Sequence, residues 1–302
     1  MSKRNLRRNV HGILLLDKRL GVSSNLALQE AKRLLNAAKA GHTGSLDPLA
    51  TGLLPLCFGE ATKVSGMMLD DDKRYRVVIR LGVLTDTGDA EGTVLETKPV
   101  PEITQAMLDA CLQRFTGEID QVPPMYSALK LNGRKLYELA REGKTVERKA
   151  RRITLYEIKQ LGFEYDRLTL EVFCSKGTYI RSLAEDIGAH FGCGGTVAEL
   201  RRLQAGVFTI DRAFTIEQLR AMDARQLDAC LLNVDEPLQA LQAVELQDGD
   251  AVKIRNGQSV RSELIQSGPV RLYHAGAFLG LGEMRLDGKL APCRLFNLEG
   301  VG

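Results

Sequence analysis

The chain has 302 residues, 44% of them hydrophobic and 26% charged, the balance of a globular protein able to bury one or two cores. No apolar run approaches the roughly 20 residues of a membrane span, and Gly12 to Leu16 is too short for a signal-peptide core, so a cytoplasmic location is expected. Lys and Arg number 41 against 38 Asp and Glu, and a net charge of +3 by itself diagnoses no nucleic-acid partner.

The distribution of charge says more than its sum. Residues 1–8 carry Lys3, Arg4, Arg7 and Arg8 with no acid. Residues 141–152 carry Arg141, Lys144, Arg148, Lys149, Arg151 and Arg152 against Glu142 and Glu147, so each segment is +4 and the rest of the chain is −5. Two short basic segments on an acidic body suit contact with a phosphate backbone, and a solvated tail and loop explain them equally well.

Next in chain order, Ser24 is predicted to cap a helix with apolar positions Ala27, Ala31, Leu34, Leu35 and Ala38, stopped by Gly41. Residues 41–52 hold three glycines around Asp47-Pro48 and predict a shaped loop. Tyr75, Val77, Ile79 and Leu81 alternate with polar residues as in a strand with one buried face. Ile103, Met107, Leu108, Cys111, Leu112 and Phe115 predict an amphipathic helix ended by Gly117. Leu168, Leu170 and Val172 predict a strand leading into the turn at Ser175 to Arg181, with a helix to follow, and Thr215-Ile216-Glu217-Gln218 has capping-box spacing. After about Pro237 the texture changes: Asn256-Gly257 and Asp287-Gly288 are hairpin signals, and Gly276, Gly280 and Gly282 interrupt apolar strands. Residues from about 244 onward read as a separate β-rich domain behind a larger α+β part.

Familiar enzyme signatures are missing. The sequence has no G-x-x-x-x-G-K-[ST], G-x-G-x-x-G, H-E-x-x-H or G-x-S-x-G, and its four histidines are scattered. Six cysteines form no C-x-x-C pair, so six reduced, mostly buried thiols are expected, with no metal and no cofactor. Ser127-Ala128-Leu129-Lys130 matches S-x-x-K without the companion elements of a serine acyl-enzyme. Asp47 is held extended by the following Pro48 between Gly44 and Gly52, a presented carboxylate or a turn-forming Asp-Pro.

The run Ala40-Gly41-His42-Thr43-Gly44-Ser45-Leu46-Asp47-Pro48-Leu49-Ala50-Thr51-Gly52-Leu53-Leu54-Pro55 resembles the catalytic motif of the TruB family, the bacterial tRNA pseudouridine-55 synthases. Lys73 to Arg76 with Thr85 to Asp89, Tyr126 to Lys130 with Gly133 to Tyr137, Ser175 to Arg181, and Leu200-Arg201-Arg202 resemble further family blocks in the same order. One departure stands at Arg19, where the family usually has proline.

The resemblance implies an α+β pseudouridine synthase catalytic domain over residues 1–243, with a mixed and antiparallel sheet and an RNA-gripping insertion at about 123–152. A small β-barrel-like PUA RNA-binding domain would cover 244–302. It implies isomerisation of uridine to pseudouridine at position 55 in the T-loop of tRNA, stand-alone and cofactor-free. Asp47 would be the catalytic carboxylate, Arg181 its cationic partner, and Tyr75 both a stacking platform and a helper in removing the C5 proton. His42, Tyr179 and Leu200 would line the pocket, and Arg148, Lys149, Arg151 and Arg152 would meet the backbone of the tRNA T-arm. Two other functions compete. An RNA-guided pseudouridylase subunit shares the fold and tail but generally lacks the segment between Pro123 and Arg152, and a tRNA-folding chaperone would need no chemistry.

Overall fold

The computed structural model describes residues 7–262 and 266–298. Lys3 and Arg4 of the basic amino-terminal segment therefore lie outside the described residues, whereas Arg8 is ion-paired with Asp228 at 2.6 Å. Among the described residues no helix is long and apolar enough to cross a membrane.

A ten-stranded mixed sheet organises the larger part of the chain. Its main path runs Phe214–Thr215, Gly12–Lys18, Ala50–Phe58, Gly195–Ala205, Lys73–Leu81, Arg167–Cys174, Arg151–Glu164, Gly117–Gln121. Neighbours are antiparallel except Gly195–Ala205 beside Ala50–Phe58 and Phe214–Thr215 beside Gly12–Lys18. The apolar run Ile13 to Leu16 reflects cover on both faces: Leu14 and Leu16 pack with the helix Ser24–Leu34, Ile13 and Leu15 with Val64 and Phe208 behind. Lys73–Leu81 has one covered face, so it alternates. Val77, Ile79 and Leu81 are buried against the helices Gln105–Phe115 and Ile180–His190, while Arg76 and Arg80 are exposed.

Most predicted elements form as expected, including the helix after Ser175 to Arg181 and the Thr215 capping box, in which Gln218 N donates to Thr215 Oγ1. Two helix ends differ. Ser23, not Ser24, caps the first helix, accepting from Leu26 N at 3.2 Å, because Ser24 is buried and used elsewhere. That helix stops at Leu34 rather than running to Gly41; Asn36 takes a positive φ of 47°, and Ala40–His42 becomes a short strand on Ala50–Phe58.

The carboxy-terminal part forms its own five-stranded sheet, ordered Gln242–Glu245, Gly268–His274, Ala277–Met284, Lys289–Leu295, Val260–Arg261. Asp287-Gly288 makes the expected hairpin between its last long strands. Asn256-Gly257 does not. It closes the helix Asp248–Arg255, with Gly257 at φ 78° donating to Ile254 O and Gln258 donating to Lys253 O. A left-handed Gly serves a helix cap as readily as a hairpin, and local sequence does not separate the two. Four of the six cysteines are buried; Cys230 is half-buried and Cys293 exposed, and all six are free.

Candidate active site

Asp47 sits on the loop between the short strand Ala40–His42 and the strand Ala50–Phe58. Its neighbours in sequence are clamped from three directions. Ser24 Oγ donates to Leu46 O at 2.9 Å and accepts from Leu46 N at 2.7 Å. The Lys18 ammonium, 1% exposed, donates to Val22 O and Pro48 O, and Gly21 N donates to Pro48 O. Buried Arg202 reaches Gly44 O and Leu53 O. Gly52, at φ 97°, lets this strand approach Gly195–Ala205, since a Cβ there would lie 2.3 Å from Arg202 O. A polar clamp on backbone groups at 44, 46 and 48 leaves the Asp47 side chain as the part of the loop free to do chemistry.

That side chain meets Arg181, whose Nη2 lies 2.9 Å from Asp47 Oδ2. Arg181 begins the helix Ile180–His190 and is buried; it also lies 3.4 Å from Asp89 and donates to Thr87 O and Tyr126 O. One guanidinium thus joins two carboxylates and the start of the insertion. Asp89 is itself fixed by Thr87 Oγ1 at 2.7 Å and Glu91 N at 3.1 Å. Desolvation raises the Asp47 pKa above the usual aspartate value; Arg181 and Lys18 oppose that rise and Asp89 adds to it. Burial lowers the Lys18 ammonium to about 8.

A cleft of about 670 Å³ opens over these groups, lined among others by Asp47, Tyr75, Tyr126, Tyr179, Arg181 and Leu200. Burial pushes the Tyr75 phenol up, and likewise that of Tyr179, whose backbone N and O are both bound by the Gln121 side chain. His42 is not among the lining residues; it is half-buried behind the loop, its Nδ1 has no hydrogen-bond partner, and burial together with Arg202 lowers its pKa.

The expected backbone-binding residues separate into two kinds. Arg148 donates to Pro123 O across the base of the insertion, and Arg152 lies 3.4 Å from Glu118 and 3.3 Å from Asp120. Lys149 and Arg151 are exposed and have no carboxylate at ion-pair distance among the described residues. The insertion itself carries the ribbon Lys130–Leu131 with Arg134–Lys135 and the helix Leu136–Arg141, and places Tyr126, Tyr137 and Arg141 on the cleft wall. Sequence reading passed over Lys18, Ser24, Asp89 and Arg202 as site residues. For Asp89 and Arg202 the Thr85 to Asp89 and Leu200 to Arg202 blocks were a signal, though not of their role; for Lys18 and Ser24, which bind backbone groups distant in sequence, there was none.

Arg19, at the departure from the family pattern, forms a two-pronged ion pair with Glu30 at 3.0 Å for each prong. Its carbonyl still accepts from Lys18, so the turn forms without proline.

Comparison with known proteins gives consistent matches along the chain. A family model described as TruB family pseudouridylate synthase (N terminal domain) matches residues 32–180. A tRNA pseudouridylate synthase B C-terminal domain matches 181–239, and a Pseudouridine synthase II TruB, C-terminal model matches 243–296. A Chromohalobacter salexigens protein named tRNA pseudouridine synthase B is 52% identical over 300 residues, 98% of each chain. Its namesake from Pseudomonas fluorescens strain Pf0-1 is 52% identical over 97% of this chain and 98% of that one. Among solved structures, one of a Cbf5-Nop10-Gar1 complex superposes with a TM-score of 0.70 at 23% identity, over 95% of this chain and 84% of that one, which shows a shared fold.

Proposed function

The chain belongs to the TruB family and isomerises uridine to pseudouridine in tRNA, and we propose that it does so at position 55 of the T-loop, unaided by a guide, with Asp47 as the catalytic carboxylate. The observation that carries the assignment of Asp47 is its position: a half-exposed carboxylate at the floor of the cleft, 2.9 Å from a buried guanidinium, on a loop whose backbone is clamped on either side. The isomerisation detaches uracil from C1′, rotates it and rejoins it through C5. It consumes no oxidant and no nucleotide, and needs a carboxylate against the sugar and base inside a pocket that retains the freed uracil.

Tyr75 and Leu200, both lining the cleft, receive the extruded base, Tyr75 as the aromatic platform and Leu200 as an apolar wall. Tyr75, as its phenolate, then takes the C5 proton in the last step. Arg181 holds Asp47 in position and offsets its desolvation. The insertion, contributing Tyr126 and Tyr137 to the cleft, grips the T-arm directly, which favours a stand-alone enzyme over a guided subunit. The C-terminal sheet serves as a PUA-type RNA-binding domain and extends the contact along the tRNA.

The test is pseudouridine formation in a guide-free T-arm stem-loop. Asp47→Asn keeps the side-chain shape and removes the charge, so product formation is expected to fall by at least roughly a thousandfold while RNA affinity stays within a few fold. Wild-type single-turnover rates in Asp47→Asn would refute the assignment.

A further inference from the structure

Arg202 is 2% exposed, one of the largest fully buried side chains, and like Lys18 it has no carboxylate at ion-pair distance among the described residues. Arg181 and Arg201 do have such partners, Asp47 and Asp89 for the first and Asp17 for the second. The guanidinium of Arg202 instead donates to two carbonyls, Leu53 O at 2.7 Å and Gly44 O at 3.3 Å. An uncompensated buried cation is costly, and a well-packed apolar side chain would serve stability better. Directly across the antiparallel pair from Arg202 stands Tyr75. Among the charged and titratable groups acting on its phenol, the charge of Arg202 favours the ionised form, while burial, Cys174 and Asp47 all oppose it.

We propose that Arg202 is a positioning residue of the isomerisation, holding the Asp47 loop through Gly44 and Leu53 and balancing the charge of a Tyr75 phenolate that takes the C5 proton. The inference rests on Tyr75 being the base. After C5 has bonded to C1′, the ring has an N1=C6 bond and C5 still carries its hydrogen. The phenolate oxygen takes that proton, and the C5–H electron pair becomes the C5=C6 bond. The N1=C6 pair moves to N1, which takes a proton from water. The phenolate forms by loss of the Tyr75 phenol proton to water, and water returns that proton to N1, so the negative charge is formed and consumed beside Arg202, whose guanidinium keeps its proton throughout.

The test uses the full chain and a T-arm stem-loop carrying 5-deuterouridine at the target position, under single turnover. Arg202→Met fills the volume without charge, and Arg202→Gln retains a donor for the carbonyls; either is used once shown to be folded, the second standing in if the first is not. Both are expected to slow product formation by roughly tenfold to a hundredfold. The C5 isotope effect should rise from its wild-type value to severalfold, because loss of the C5 proton becomes limiting, and Arg202→Lys should restore it toward wild type. A slowed variant whose isotope effect equals that of wild type would mean that Arg202 only supports the loop, and would overturn the proposal. Tyr75→Phe is the control for the underlying reading. If it forms product at the wild-type rate, Tyr75 is not the base, a failure distinct from an unchanged isotope effect in the Arg202 variants.

Discussion

Asp47 is set against the fold that carries it. Its folded-state pKa lies above the ordinary aspartate value, so folded protein binds the proton more tightly than unfolded chain does. The stability this confers is complete below the unfolded value and is lost as pH rises through the folded value, which leaves ionised Asp47 a destabilising group at neutral pH. Asp47→Asn is therefore expected to unfold at or above the wild-type midpoint at neutral pH, the difference vanishing in acid; a lower midpoint at neutral pH would contradict the sign. Activity should follow the opposite course, falling as acid protonates Asp47, at a higher pH than an ordinary aspartate would require. A single-turnover pH profile on the stem-loop shows this directly. Ser24 offers a second test at this scale. Ser24→Ala leaves the buried N–H and C=O of Leu46 without their partner, at an expected cost of about 1–3 kcal/mol in denaturant unfolding. A loss well under that range would mean that the loop holds its shape without the clamp.

At the scale of the element, the insertion divides its basic residues between holding itself and facing outward. Arg148 ties the end of the segment to Pro123 and Arg152 is matched by Glu118 and Asp120, so both have work within the protein. Lys149 and Arg151 are exposed and have no carboxylate at ion-pair distance among the described residues, so a change there leaves these internal ties in place. The double change Lys149→Ala with Arg151→Ala should weaken tRNA binding and flatten its log–log salt dependence by roughly 0.7 to 0.9 per lost contact. Saturated single-turnover chemistry should change much less, because phosphate contacts place the RNA without touching the uracil. Affinities measured across a salt series decide the matter. Lines parallel to wild type would show that these charges do not meet the backbone.

Across the whole molecule, the C-terminal sheet shares a core with the larger part. Leu281 and Phe296 pack in one cluster with Ile13, Leu15, Leu53 and Cys57. Lys63 Nζ donates to Leu295 O at 2.8 Å, Asn297 N donates to Glu60, and Arg294 donates to Lys63 O. A second junction is polar: Tyr273 OH donates to Asp235 at 2.5 Å while Arg271 donates to Tyr273 OH, Gln239 and Leu241 O. Deleting the chain from about residue 244 would strip this cover from the central strands, so truncation confounds lost RNA contact with lost stability. Phe296→Ala is the cleaner probe. It should destabilise the protein by about 3 kcal/mol, with both parts of the chain unfolding in one shifted transition. Two transitions, only the C-terminal one displaced, would show that the sheets are energetically independent.

Local pattern was enough for much of this. Period-two alternation from Tyr75 to Leu81 identified a half-covered strand, apolar spacing from Ile103 to Phe115 a helix, and the Thr215 to Gln218 spacing a cap, because each depends on contacts within a few residues. The Gly-rich setting of Asp47 was visible as well, and its role came from the resemblance of a whole block rather than from any single residue. What only the tertiary structure decided is which polar side chains are claimed by distant backbone. Ser24 looked like a cap and is bound to Leu46; Arg202 stood out only as part of a family block and is buried with its guanidinium on Gly44 O and Leu53 O; Arg148 reads as a phosphate contact and is tied to Pro123. The physical reason is common to all three. A carbonyl or amide offers the same partner whatever residue carries it, so the sequence of the loop leaves no mark of who binds it, and the pairing arises only when the strands are brought side by side.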